Sequence, residues 1–298
     1  MVLIANVNNF INTLNATHID NIYLRPWPYV LYLLKFTLRS LIIMRIVTFA
    51  NNKGGVGKTT SALSVAHTLA DMGHQVLLLD CDPQANASKT FDMPAGTPHI
   101  GEVLSEQIQL SQALARVSPT LQLVRAERSL AQQEKIFGTQ PDYVFFLREQ
   151  LATLKGIDYV IIDTPPSLAA LTVASLVASE AVYIPLHPEF FGNEGMTALL
   201  DMCTRLQKNF NPKLRIGGIF FTEYAPTYRR ALHHQVVQQL KDDSTLGSLI
   251  MKATIRENVA LPESQSMRQS IHAWAPQSNG SSDYKQLTEE ILSTLRSK

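Results

Sequence analysis

Eight consecutive residues, Lys53-Gly54-Gly55-Val56-Gly57-Lys58-Thr59-Thr60, bring together the groups needed to hold a chain of phosphates. Gly54, Gly55 and Gly57 carry no Cβ, so the backbone can curl and point its N–H groups inward at an anion. Lys58 adds a point charge for the terminal phosphates, and the Thr59 hydroxyl is a ligand for Mg²⁺. Thr60 follows with a second hydroxyl. Three carboxylates stand elsewhere at comparable places. Asp80 and Asp82 are two residues apart, so in an extended segment they share a face. Asp163 closes an apolar run, Tyr159-Val160-Ile161-Ile162.

These groups need a frame that brings them to one place. Arg45–Ala50 reads as a short strand, directly before the glycine-rich turn. Thr59–Met72 has helical periodicity, with Leu63, Ala66 and Leu69 on one face. Gly73 stands where a helix usually closes. Val76–Leu79 ends in Asp80 and is an unbroken apolar run, as a strand buried on both faces reads. Ala181–Pro185 and Ile216–Phe221 are further short runs of this type, and helical stretches fall near 142–154, 168–178, 194–210 and 228–241. Strands alternating with helices predict an α/β fold: a doubly wound, mostly parallel sheet flanked by helices. Ligands of such sheets bind at the carboxyl ends of the strands. The glycine turn, Asp80 and Asp163 all fall there. No repeat or low-complexity linker divides residues 44–298, which read as one domain.

The eight residues depart from the general phosphate-loop pattern GxxxxGK[ST], because Asn52 occupies the place of its first glycine. The segment Asn51–Thr60 resembles instead the deviant Walker A motif of the ParA/Soj/MinD family of ATPases. Asp80-Cys81-Asp82-Pro83-Gln84-Ala85-Asn86 resembles that family's second motif, and Tyr159–Ser167 its Walker B region. Leu186–Phe191 with Glu194-Gly195, Ile255–Val259 and Ser281–Ile291 resemble later family blocks. The resemblance spans nearly the whole chain from Met44. It implies the P-loop NTPase fold, ATP and Mg²⁺ as cofactors, and ATP hydrolysis.

It also implies roles. Gly54, Gly55, Val56, Gly57, Lys58, Thr59 and Thr60 would hold the phosphates, with Thr59 on Mg²⁺ and Asp163 reaching the ion through water. Asp82 would position the attacking water, with Asp80 a Mg²⁺-water or structural acid. Lys53 would act across a dimer interface on the other subunit's phosphates, as a charge-neutralising finger. An N-cap role for Asp163 is the competing reading, opposed by Thr164-Pro165-Pro166, which resists immediate helix formation.

Members of this family differ in cargo. The C-terminal stripe Tyr284, Leu287, Ile291, Leu292, Leu295 has Glu289 and Glu290 beside it and few cations. A membrane-surface helix wants Lys/Arg there, so this tail is expected to dock on the core, and no membrane partner is expected. Pro165-Pro166 with Ser167-Leu168 also resembles ParA/Soj. Cys81 and Cys203 make no metal-ligating set. Residues 45–204 carry 10 Lys/Arg against 16 Asp/Glu, and residues 205–298 carry 13 against 8. A basic back half suits non-specific DNA binding, with Arg205, Lys208, Lys213, Arg215, Arg229, Arg230, Lys241 and Arg268 as candidates; a solvated basic surface is the alternative.

The expected function is a partition ATPase. It would dimerise on ATP, bind DNA and be released by a ParB-like partner, in the cytoplasm on the nucleoid. A MinD-like ATPase that positions a membrane or protein complex is the alternative. Residues 1–43 read as an extension. They are Asn-rich, then broken by Pro26-Trp27-Pro28, then apolar but interrupted by Lys35 and Arg39. That interruption rules out an unbroken membrane span. Met44 is the expected start, with an amphipathic surface helix at 29–44 as the other reading.

Overall fold

The structure, a computed structural model, describes residues 44–188 and 193–296. The expectations for 1–43 and for Glu189-Phe190-Phe191 lie outside the described residues. Seven strands form one sheet: β1 (Arg45–Phe49), β2 (Val76–Asp80), β3 (Ala115–Arg116), β4 (Leu121–Val124), β5 (Tyr159–Asp163), β6 (Ala181–Leu186) and β7 (Arg215–Phe221). Their order is β3-β4-β2-β5-β1-β6-β7. Every pairing is parallel except β3 with β4 at one edge. The sheet is therefore doubly wound, as the alternating pattern predicts. Its two-residue antiparallel edge strand was not legible in the sequence.

The apolar runs are strands because both of their faces are covered. Val76 and Leu78 pack into one cluster with Val47, Phe49 and Ile161. Leu77 and Leu79 pack into another with Val160 and Ile162. The period of two thus sends alternate residues to opposite layers, and neither layer is solvent.

On the first face lie α1 (Lys58–Asp71) and, near the chain's end, α9 (Ala260–Ser266), α10 (Ile271–Trp274) and α11 (Asn279–Arg296). The other face is covered by α3 (Ile100–Leu104), α4 (Leu130–Phe137), α5 (Tyr143–Ala152), α6 (Ala170–Ala178), α7 (Asn193–Asn209) and α8 (Ala231–Asp242). A single turn, α2 (Asn86–Lys89), follows β2.

α1 ends as its sequence predicts. Gly73 adopts φ +87°, the Gly73 N–H donates to the Ala70 carbonyl, and the His74 N–H donates to that of Leu69. This is the paired closure that a left-handed residue makes possible. α11 buries Tyr284, Leu287, Ile291, Leu292 and Leu295, so the C-terminal stripe docks on the core.

β1, β2 and β5 lie side by side and end together: Phe49 is level with Asp163, and Asp163 with Asp80. The phosphate-loop residues and two carboxylates are thereby brought to one edge of the sheet.

Candidate nucleotide site

The loop between β1 and α1 is fixed at its start by its own Asn51 and at its far end by a side chain from beyond β7. Asn51 Nδ2 donates to the Pro185 carbonyl (2.8 Å), and Asn51 Oδ1 accepts from the Lys53 N–H (3.1 Å). At the far end Thr222 Oγ1, just past β7, donates to the Val56 carbonyl (3.1 Å). Gly57 carries φ +88°, and a Cβ there would sit 3.3 Å from the Thr222 methyl. A glycine is required at that position both for the left-handed turn and for this close approach.

Lys58 is 6% exposed, and its ammonium donates to the Lys53 carbonyl (2.7 Å). Burial lowers its pKa, and the charges of Asp163 and Asp82 work against that. The ammonium is therefore held inside the loop's curl, where a phosphate oxygen can replace the carbonyl as its partner.

The three acids sit in different environments. Asp80 is fully buried and committed to its own loop. One oxygen accepts from the Asp82 N–H (3.0 Å); the other accepts from the Ser88 N–H (2.8 Å) and Ser88 Oγ (2.7 Å). Desolvation pushes its pKa up to about 6, against the pull of those hydrogen bonds. Of the two roles expected for Asp80, this geometry serves the structural one: it braces the turn that presents Asp82. Asp82 accepts from the Gln84 N–H (2.8 Å) and faces the cleft.

Asp163 is also fully buried; the Thr59 hydroxyl approaches it, but neither carboxylate oxygen makes a well-formed hydrogen bond. Burial, then the charge of Asp80, holds its pKa well above the usual carboxylate range, while Thr59 and Lys58 pull it down. A buried carboxylate without well-formed hydrogen bonds is costly. One beside a threonine hydroxyl and a lysine fits a hydrated Mg²⁺ brought in on phosphates, and the acceptor chemistry is oxygen only, as that ion prefers.

A cleft of about 1000 Å³ opens over the loop. One side is Gly54–Thr60 with Asp82. The other is a wall that the motif reading had not assigned, from Ile255–Asn258 to Gln265 and Arg268. The block Ile255–Val259 had been singled out by resemblance, but its place opposite the loop is a tertiary fact. Arg256 is fixed in that wall by a paired contact with Asp283, at 3.1 Å and 2.5 Å.

The eight basic candidates do not form one surface. Helices run back against parallel strands, so Arg205 and Lys208 late in α7, Lys213, Arg215 at the start of β7 and Lys241 late in α8 lie at the sheet end opposite the cleft. Arg229 and Arg230 precede α8 on the cleft side, and Arg268 lines the cleft. Arg215 is withdrawn from the candidate set: its guanidinium pairs with Glu180 (3.4 Å) and donates to the Thr294 carbonyl (2.8 Å), tying β7 to α11.

A family profile described as an AAA domain matches residues 44–216. The chromosome-partitioning ATPase Soj of Treponema pallidum is 36% identical over 260 residues, which cover 83% of this chain and 97% of that protein. The chain belongs to the ParA/Soj family of P-loop ATPases. Among solved structures, a plasmid partition protein from Borrelia burgdorferi bound to AMPPNP has TM-score 0.68 at 26% identity, covering 85% of this chain and 98% of that one. The cobyrinic acid a,c-diamide synthase from Mycobacterium smegmatis with bound ADP and magnesium has TM-score 0.73 at 29% identity, covering 86% and 96%. Membership of this family supports ATP and Mg²⁺ as cofactors, and Asn52 before Lys53 marks the deviant form of the loop.

Proposed function

We propose that this chain is a DNA-partition ATPase whose catalytic site is completed by a second copy. The observation that carries the reading is the division between two lysines of one loop. Lys58 is buried and turned into its own cleft, whereas Lys53 does not line that cleft although Gly54 next to it does. The match of Lys53 to the signature lysine of the ParA/Soj loop supports its acting on the nucleotide of a partner copy.

In this reading Gly54–Thr60 bind the phosphates, Lys58 offsets their charge, and Thr59 with Asp163 holds Mg²⁺. That ion supplies charge neutralisation on the phosphates when bound. Asp82 holds and orients the attacking water, and Asp80 keeps Asp82 in place. Lys53→Ala is expected to bind nucleotide as a monomer and to fail in ATP-dependent dimerisation, read by light scattering with a non-hydrolysable ATP analogue. Unchanged dimerisation and ATPase activity would remove Lys53 from the scheme.

The dimer would bind DNA without sequence preference and leave it when a ParB-like partner triggers hydrolysis, on the nucleoid in the cytoplasm. The cleft-side cations Arg229, Arg230 and Arg268 suit a polyanion: the pairs Arg230–Glu257 and Arg268–Asp92 are exposed and weak enough for phosphates to displace. The buried C-terminal stripe leaves that helix no apolar face for lipid, which favours DNA over a membrane. ATP-dependent retention of the dimer on plain DNA should weaken about two-thousandfold between 50 and 200 mM salt, the slope of roughly six phosphate contacts, three from each copy. Retention on anionic vesicles in place of DNA would favour the MinD-like alternative. DNA retention that salt does not touch would sink the electrostatic account.

A further inference from the structure

Three side chains from the second half of the chain reach the phosphate loop and the first turn of α1. Thr222 Oγ1 donates to the Val56 carbonyl (3.1 Å), the Tyr284 hydroxyl pairs with Ser61 Oγ (3.1 Å), and Gln265 Nε2 donates to Thr60 Oγ1 (3.0 Å). The last is the informative one, because Gln265 and Thr60 both line the cleft.

A threonine hydroxyl has one proton to give and two lone pairs. In a helix that proton usually goes to the carbonyl four residues back. For Thr60 that acceptor is Val56, but its oxygen takes the hydroxyl of Thr222, and the Thr60 hydroxyl makes no hydrogen bond to it. A lone pair of Thr60 Oγ1 is in turn occupied by the Gln265 amide. The remaining direction for the Thr60 proton is into the cleft.

We propose that Gln265 is a positioning residue for nucleotide binding: it orients the Thr60 hydroxyl so that the proton is donated to a phosphate oxygen of the nucleotide. The inference rests on the reading of the cleft as the Mg²⁺-nucleotide site. Gln265 belongs to α9 on the opposite wall, so the contact also closes that wall onto the loop. The helix is itself anchored, with Leu261 packed within 3.0–3.1 Å of where a Gly280 side chain would begin and Arg268 paired with Asp92 (2.6 Å).

The test is a double-mutant cycle on equilibrium binding of fluorescent ADP and of a non-hydrolysable ATP analogue, with Mg²⁺ present. Gln265→Met keeps the length of the side chain and removes the donor. It should raise Kd about fivefold, as expected when a hydrogen bond to a charged group is misaligned. Thr60→Val should raise Kd by at least as much, and the double variant should be no weaker than Thr60→Val alone. Gln265→Glu should bind more weakly than Gln265→Met, because a carboxylate takes the Thr60 proton away from the phosphate. Losses that multiply in the double variant, or Gln265→Met binding like wild type, would overturn the inference. Wild-type protein that binds neither nucleotide would overturn the reading of the site itself, which keeps the two failures apart. Should Gln265→Met lose its melting transition, Gln265→Asn, too short to reach Thr60 but still polar, replaces it in the same cycle with the same expected outcome.

Discussion

Asp82→Ala should bind ATP and Mg²⁺ nearly as well as wild type and hydrolyse it about a hundred to ten thousand times more slowly, the range that a positioned acid–base group contributes. The argument is local. Asp82 lines the cleft on the same side as Lys58, and its carboxylate is aimed by two contacts that do not depend on nucleotide: its Oδ1 accepts from the Gln84 N–H, and its own N–H is held by Asp80. Removing the carboxylate takes away the group that orients water but none of the donors that hold phosphate. The loss should therefore fall on kcat, with KM for ATP changed by less than about threefold. The measurement is steady-state phosphate release beside equilibrium binding of the same nucleotide. Wild-type turnover in Asp82→Ala would return the catalytic role to another acid. Asp80→Ala is a poor substitute test, because loss of its three hydrogen bonds would displace Asp82 as well.

Asp163→Asn should do two opposite things. In the absence of nucleotide it should raise the melting temperature. The folded chain raises the pKa of this carboxyl far above its ordinary 3.8. Folding thus favours the protonated form, so this group's contribution is fully present below about pH 4 and is lost as pH rises through the folded value. At neutral pH wild type bears the cost of a buried acid that Thr59 and Lys58 offset only in part. The amide, which cannot ionise, should recover on the order of 1–2 kcal/mol, or about 2–8 °C in a chain of this size. The gain should shrink toward pH 4. With ATP present the same change should remove the Mg²⁺-dependent part of binding and lower hydrolysis by at least about a thousandfold. Thermal melts at pH 4.5 and pH 7.5, with and without Mg²⁺-ATP, read both effects. A lower melting temperature for the nucleotide-free variant at pH 7.5 would contradict the assignment of stored cost to Asp163.

Much of this was legible before any coordinates. The glycine turn, Lys58, Asp82 and Asp163 carry their chemistry in short motifs at strand ends, and a parallel sheet places all strand ends on one edge whatever the loops do. The runs Val76–Leu79 and Tyr159–Ile162 were readable because burial on both faces leaves no polar alternation to confuse them. The edge pair β3 and β4 was missed because two and four residues carry too little pattern, and because Arg116 and Gln122 interrupt what there is. The far wall of the cleft was missed for a different reason. Gln265 and Arg256 reach the site through tertiary packing about 200 residues after the loop; the block around Arg256 resembles a family block, but nothing in the local sequence places either residue opposite the loop. The basic candidates were a property of composition. A charge total contains no direction, and the fold sends those cations to both ends of the sheet.

Ser61 and Tyr284, joined by one hydrogen bond, are 223 residues apart. A ribosome adds roughly 5–20 residues per second, so about 10–45 s pass between the synthesis of these two groups. During that interval α1 exists without α11, the helix that covers it. The phosphate loop of a nascent chain thus lacks its backing, and an entropically expensive closure across the whole length must come last. The backing of the phosphate loop is therefore assembled only once α11 has been made, long after the residues of the loop itself.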